Sequence, residues 1–204
     1  MDTERNNTQL DKEAGGEKKS NFFKTKSGTI TIITTVIILI IAAFMYNNYR
    51  VAKEEEEEFN TYKEDFTVAL SLLENEASKN LDVVSGTEQT WRDAIFSDED
   101  IDFNTALILH LADLEENGTL KDLKSGRDKL DSKIQELQDV HPQFENVYDD
   151  FLDLYATYTQ INDLAIEPTG SLQSYGDNYE RLNGDFNQSY STIKVRVPTE
   201  LKGS

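Results

Sequence analysis

Apolar positions along this chain follow two regimes. From Ile30 to Tyr46 they form an unbroken run, ITIITTVIILIIAAFMY, with no charge, proline or glycine. Beyond residue 58 they recur at steps of three and four, the period of one helix face. Counted from Gly28 the run is 19 residues. At about 1.5 Å per residue it reaches roughly 28 Å, close to the hydrocarbon thickness of a bilayer. The run predicts a transmembrane signal-anchor helix over 28–49, carried by Ile30, Ile32, Ile33, Val36, Ile37, Ile38, Leu39, Ile40, Ile41 and Phe44. Its threonines are tolerated in lipid because the hydroxyl bonds a carbonyl one turn back. Phe22, Phe23, Tyr46 and Tyr49 flank it, where aromatic rings favour the headgroup zone. A cleaved signal peptide would end in small residues, whereas Ala42 and Ala43 are followed by Phe44, Met45 and Tyr46.

The periodic region predicts a series of amphipathic helices. The first carries Phe59, Tyr62, Phe66, Leu70, Leu73, Ala77, Leu81, Val84, Trp91 and Ile95, with a gap at Glu88 and a weak point at Ser85-Gly86. It should stop before Ser97. Asp102 is placed to cap a second helix (Phe103, Leu107, Leu111, Leu114) that ends at Asn117-Gly118, where glycine supplies a left-handed cap. Thr119 and Asp122 resemble a capping pair for a third, with Leu120, Leu123, Leu130, Ile134 and Leu137 on one face. Gly118 either breaks one helix or reverses the chain.

His141-Pro142 marks the next boundary. A fourth helix carries Phe144, Tyr148, Phe151, Tyr155, Tyr158, Ile161 and Ala165 and ends at Glu167-Pro168-Thr169-Gly170. Ser171 caps a fifth with Leu172, Tyr175, Tyr179, Leu182, Phe186 and Ile193, closed by Pro198. No strand alternation occurs. The expected fold class is all-α, an N-terminal transmembrane helix followed by an antiparallel four- or five-helix bundle with left-handed, near-parallel packing. The domain reading is a disordered cytoplasmic tail (1–27), the anchor (28–49), an extracytoplasmic helical bundle (50–198) and a flexible C-terminus (199–204).

Charge orients this arrangement. Lys12, Lys18, Lys19, Lys24 and Lys26 precede the run, whereas Arg50 and Lys53 follow it and lead into the acidic stretch Glu54–Glu58. Basic residues stay on the cytoplasmic side, so the N-terminus is expected inside and the C-terminal domain outside the cell membrane. Residues 51–204 hold 34 Asp or Glu against 13 Lys or Arg, a net charge near −21. Nucleic acid is excluded as a partner, because phosphates need clustered Lys and Arg. The same charge keeps the domain soluble, with capture of cations or of a basic partner as the sharper possibility. The chain has no cysteine. Disulfides, thiolate metal sites and a Cys nucleophile are therefore out of reach, and a cysteine-free ectodomain leans towards a bacterial source.

Candidate chemistry is sparse. His110 sits in an apolar helix with no second ligand at i+3 or i+4, which fits a packed structural histidine better than a metal site. His141, beside a helix-breaking proline, reads as a helix C-terminal residue meeting the dipole. The spacing Asp98-x-Asp100-x-Asp102 matches the first ligands of a calcium loop, but the sixth position is Phe103 where glycine is needed and the twelfth is Leu109 where a bidentate Glu is needed. No nucleophile elbow, phosphate loop, zinc-protease or dinucleotide motif occurs. No enzyme activity, cofactor or metal is expected. Tyr148, Tyr155, Tyr158, Tyr175 and Tyr179 cluster on the last two helices. They suit core packing with hydroxyls at the rim, or, as the sharper reading, an exposed interaction surface.

The words Trp91-Arg92-Asp93-Ala94-Ile95, Tyr158-Thr159 and Pro168-Thr169-Gly170-Ser171 make the chain look like a loosely defined group of Gram-positive single-pass membrane proteins with a short basic tail and a helical ectodomain. The resemblance implies a fold and a location and brings no catalytic residues. The expected role is a non-catalytic protein-interaction module at the cell envelope, with one membrane-spanning helix, a protein partner and self-association open through the first helix. The alternative is a ligand-sensing ectodomain. Its tail of some 27 residues is too short to hold a signalling domain, so such a sensor would need a separate membrane signalling partner.

Overall fold

A computed structural model describes the backbone of residues 26–96 and 102–200, and the side chains of 35–96 and 102–200. All regular structure among the described residues is helical: α1 (Lys26–Phe96), α2 (Phe103–Glu116), α3 (Thr119–Glu136), a single 3-10 turn (Pro142–Phe144), α4 (Glu145–Ile166) and α5 (Leu172–Arg196). The chain divides into two compact units, Met1–Ala52 and Lys53–Ser204.

In the first unit, one helix is long and apolar enough to cross a membrane, and no residue of its apolar window is buried by protein. Helix α1 begins at Lys26 and does not end with the apolar run; it continues to Phe96. The expected weak point at Ser85-Gly86 is absent. Thr87 and Thr90 return their hydroxyls to the carbonyls of Val83 (2.9 Å) and Gly86 (3.0 Å). Val84 and Thr87 are buried on either side. Packing of the flanking turns outweighs the roughly 1 kcal/mol that a helix-interior glycine costs.

In the second unit the predicted stripe of α1 becomes the core. Phe59, Phe66, Leu70, Leu73, Ala77, Val84 and Trp91 are buried, and Tyr62 and Leu81 are half-buried. Ile95, expected on this stripe, is instead exposed. The gap at Glu88 is filled one residue earlier, by the fully buried Thr87. Partners along α1 appear in a fixed order. Phe144 and Phe151 of the α4 side meet Phe59 and Phe66 at ring-centroid distances of 5.7 and 5.2 Å, and Asn162 meets Asn80. Contacts with α5 advance the other way: Tyr175 packs edge-on against Trp91, Tyr190 donates to Glu74, and Lys63 donates to the Thr199 carbonyl. That last bond holds Thr199 to α1.

The role of Gly118 follows from the same ordering. Phe103 lies against Trp91, His110 against Thr87, Gly126 against Glu76, and Leu137 against Tyr62. Helices α2 and α3 therefore travel in the same sense along α1, so Gly118, at φ 83°, kinks the path without reversing it. The Thr119–Asp122 capping pair does not form. Gly118 is itself the N-cap of α3, and the side chain of Asn117 accepts from the amide and hydroxyl of Thr119 at 3.0 and 2.6 Å. Asp102 and Ser171 cap α2 and α5 as expected, the latter in a reciprocal capping box with Ser174.

The two glycines respond oppositely to a methyl group. Gly86→Ala, with open space around its Cβ position and helical backbone, should stabilise the fold by about 1 kcal/mol. Gly118→Ala, forced into the left-handed region, should destabilise it by about 1 kcal/mol. Urea unfolding of both variants checks the pair; shifts of the same sign would contradict the backbone assignment.

Candidate functional site

Three groups of side chains carry whatever this chain can do. The first is the apolar segment of α1, the one stretch among the described residues long and apolar enough to cross a membrane. Val36, Ile37, Ile38, Leu39, Ile40, Ile41 and Phe44 are all exposed, with Phe44 at 65%. The side chains of Ile30, Ile32 and Ile33 lie outside the described residues.

The second group is a polar layer within the second unit. It lies between one apolar cluster centred on Phe66, Leu73 and Phe151 and another centred on Trp91, Leu123 and Tyr175. Asn162 of α4 donates to Asn80 of α1 (2.9 Å), and Asn80 donates to the Glu76 carbonyl (2.7 Å). Arg127 of α3 reaches across to Asn162 (3.3 Å) and pairs with Asp163 (2.7 Å). Tyr155 donates to Asp131. Burial and that carboxylate push the Tyr155 pKa up to about 12. Glu76 is only 3% exposed; one carboxylate oxygen pairs with Lys79 at 2.7 Å, and the other packs where a Cβ on Gly126 would stand. A side chain at 126 would require Glu76 to shift.

Sequence reading missed Glu76, Asn80, Thr87 and Asn162, the buried polar residues. A signal was available, since each sits three or four residues from a buried apolar position (Leu73, Ala77, Val84, Tyr158) on the same helix face. Polar type alone suggested solvent, and the period placed them inside.

The third group is the five tyrosines, and the structure separates them. Tyr158 and Tyr175 are fully buried. An interaction surface that includes them is therefore corrected: their rings fill the core. The hydroxyl of Tyr175 donates to the Leu164 carbonyl (3.2 Å). That of Tyr158 lies beside Asn80 without bonding geometry, and burial together with the Glu76 charge raises its pKa. Tyr148, Tyr155 and Tyr179 are half-buried. The five do not form one face.

Both histidines are structural. His110 Nε2 stands 3.1 Å from the Thr87 hydroxyl. A base beside a hydroxyl is the beginning of a nucleophilic pair, but Thr87 is fully buried and already donates to Val83, so no substrate reaches it. Burial lowers the His110 pKa, against an opposing pull from Asp113. His141 is not at a helix C-terminus. Its side chain caps the Pro142–Phe144 turn by accepting from the Gln143 amide, and its ring packs edge-on against Phe59 and Phe144.

An open recess of about 540 Å³ lies between the base of the Lys53–Ser204 part of α1 and the α3–α4 connection, lined by Glu54, Glu57, Glu58, Asp65, Asp139 and His141. Among the described residues no three His, Asp or Glu side chains converge as metal ligands. Asp98, Glu99, Asp100 and Ile101 of the calcium-like spacing lie outside the described residues, whereas Asp102 serves as the α2 cap. Set against protein-family profiles, curated proteins and solved structures, the chain matches none.

Two outcomes follow from this geometry. Asn162→Ala would strand the buried Asn80 side chain and should cost about 2–3 kcal/mol in urea unfolding; a loss below about 0.5 kcal/mol would show that the pair is not what holds the layer. For His110, folding favours the neutral ring. That contribution is complete above the ordinary imidazole value of about 6.5 and is lost as pH falls towards the lowered folded value. Between pH 7.5 and 5.5 the native protein should therefore lose melting temperature relative to His110→Gln. A constant difference across that range would show no linkage.

Proposed function

We propose that this chain is a membrane-anchored, extracytoplasmic helical-bundle protein that acts as a non-catalytic protein-interaction module at the cell envelope. The exposed apolar segment of α1 supports a single membrane-spanning anchor. The lysines before it and the acidic stretch after it support a cytoplasmic N-terminus and an extracellular C-terminal domain. The opposed order of contacts along α1 supports an antiparallel bundle, and the cysteine-free composition supports a Gram-positive setting.

The observation that carries the interaction role is the surface of the second unit. Ile95, Phe96, Ile108 and Leu109 stay open to solvent on a strongly acidic body. Large apolar side chains left uncovered near one another mark a surface meant for a partner.

The absence of native cysteine makes the test clean. Val195 is 87% exposed, so Val195→Cys gives one reactive thiol. On intact native cells a membrane-impermeant maleimide photo-crosslinker should label it and capture one abundant protein. No labelling would overturn the topology. Labelling without an enriched partner would overturn the interaction module and leave ligand sensing as the reading to pursue.

A further inference from the structure

Helix α2 differs from the rest of the second unit. Its first ten residues, Phe103 to Ala112, contain no Asp, Glu, Lys or Arg, in a part of the chain whose net charge is near −21. One face meets the core through Phe103, Leu107, Leu111 and the buried Leu114. The opposite face is uncharged, with Ile108, Leu109 and Ala112 apolar and Thr105 at its start. Thr105, Ile108, Leu109 and Ala112 follow the i, i+3, i+4, i+7 pattern of a single stripe, and all four are exposed, Ile108 at 66% and Leu109 at 58%. Extending the same stripe by one turn reaches Asp102 at one end and Glu115 and Glu116 at the other, all exposed. The ring contact between Trp91 and Phe103 (6.2 Å) puts the start of α2 beside the last turns of α1, where Ile95 and Phe96 are also open.

We infer that the outer stripe of α2 is a docking surface for an amphipathic helix of a partner protein, one with an apolar centre and Lys or Arg at both ends. This rests on the interaction-module reading and specifies its partner. The apolar stripe runs about 10 Å and the carboxylates bracket about 21 Å, two turns within four at 1.5 Å per residue. An incoming helix gains by covering Ile108 and Leu109 at the centre, and by pairing its basic ends with Asp102 and with Glu115 and Glu116. A second copy of this chain fits poorly. Set antiparallel, Asp102 of one α2 meets Glu115 and Glu116 of the other; set parallel, each carboxylate meets its own kind. Either way like charge faces like charge, between two units already near −21.

The test uses the full chain in zwitterionic nanodiscs, with empty nanodiscs as the blank. Two fluorescent helical peptides share one Leu stripe at i, i+3, i+4, i+7; one carries Lys at both ends and the other Glu. The expected result is binding of the Lys-ended peptide at least tenfold tighter than the Glu-ended one. Ile108→Glu with Leu109→Glu should weaken it at least tenfold, and Glu115→Lys with Glu116→Lys should narrow the difference between the two peptides. All four positions are exposed, and an unchanged melting temperature confirms that the variants fold. Attraction to bulk acidity alone predicts the opposite for the first variant, equal or tighter binding, and would overturn the inference. So would self-association lost in Ile108→Glu with Leu109→Glu, which would assign the stripe to a second copy. If neither peptide binds while crosslinking through Val195→Cys still captures a partner, this surface is wrong and the interaction role survives.

Discussion

The second unit depends on one apolar face of α1. Its buried positions are spaced by three and four residues over nine turns, and each of the other helices is positioned by what it sets against that face. An α-helix drifts by about 20° per heptad against a 3.5-residue repeat, so a straight stripe cannot remain apolar for this distance with one residue type at every step. The drift is taken up locally. Ala69, Leu70, Leu73, Ala77 and Val84 mix small and large side chains, and Thr87 replaces an apolar residue where the spacing slips. At the Phe59 end of the stripe Phe59, Tyr62, Phe66, Phe144 and Phe151 pack at tilted and edge-on angles, the geometry that aromatic quadrupoles favour.

Interrupting this stack with a polar layer costs desolvation energy, and such layers persist where they distinguish one register from its neighbours. Here Asn80, Asn162 and Arg127 link α1, α4 and α3 through hydrogen bonds that a one-turn slip would break. The close approach of Glu76 to Gly126 adds a steric condition, since only one residue of α3 lacks the side chain that would collide at that point. These hydrogen bonds and this close approach are met together in the observed register.

Surface and interior divide the chemistry between them. Carboxylates cover most of the outside of the second unit, where hydration is cheap and mutual repulsion keeps molecules apart. The tyrosines of the second unit, Asn80, Asn162 and the one tryptophan are drawn inward. Helix α2 departs from this division because both faces of its first ten residues are uncharged, which is the pattern of an element with neighbours on both sides.

What the sequence determined by itself was whatever depends on a single helix. The apolar run of α1, the period-3.6 stripes, the caps at Asp102 and Ser171, the left-handed Gly118 and the stops near Gly170 and Pro198 are local properties, readable because a helix's bonds close within four residues. The tertiary structure decided what depends on which helix lies opposite. It turned Tyr158 and Tyr175 inward, left Ile95 outside, continued α1 through Gly86, made His141 a cap and joined Glu76, Asn80 and Asn162 into one layer. Such features involve partners tens of residues apart, as with Asn80 and Asn162. A stripe shows that a face will be covered, while the identity of the covering residue is settled only when the helices pack.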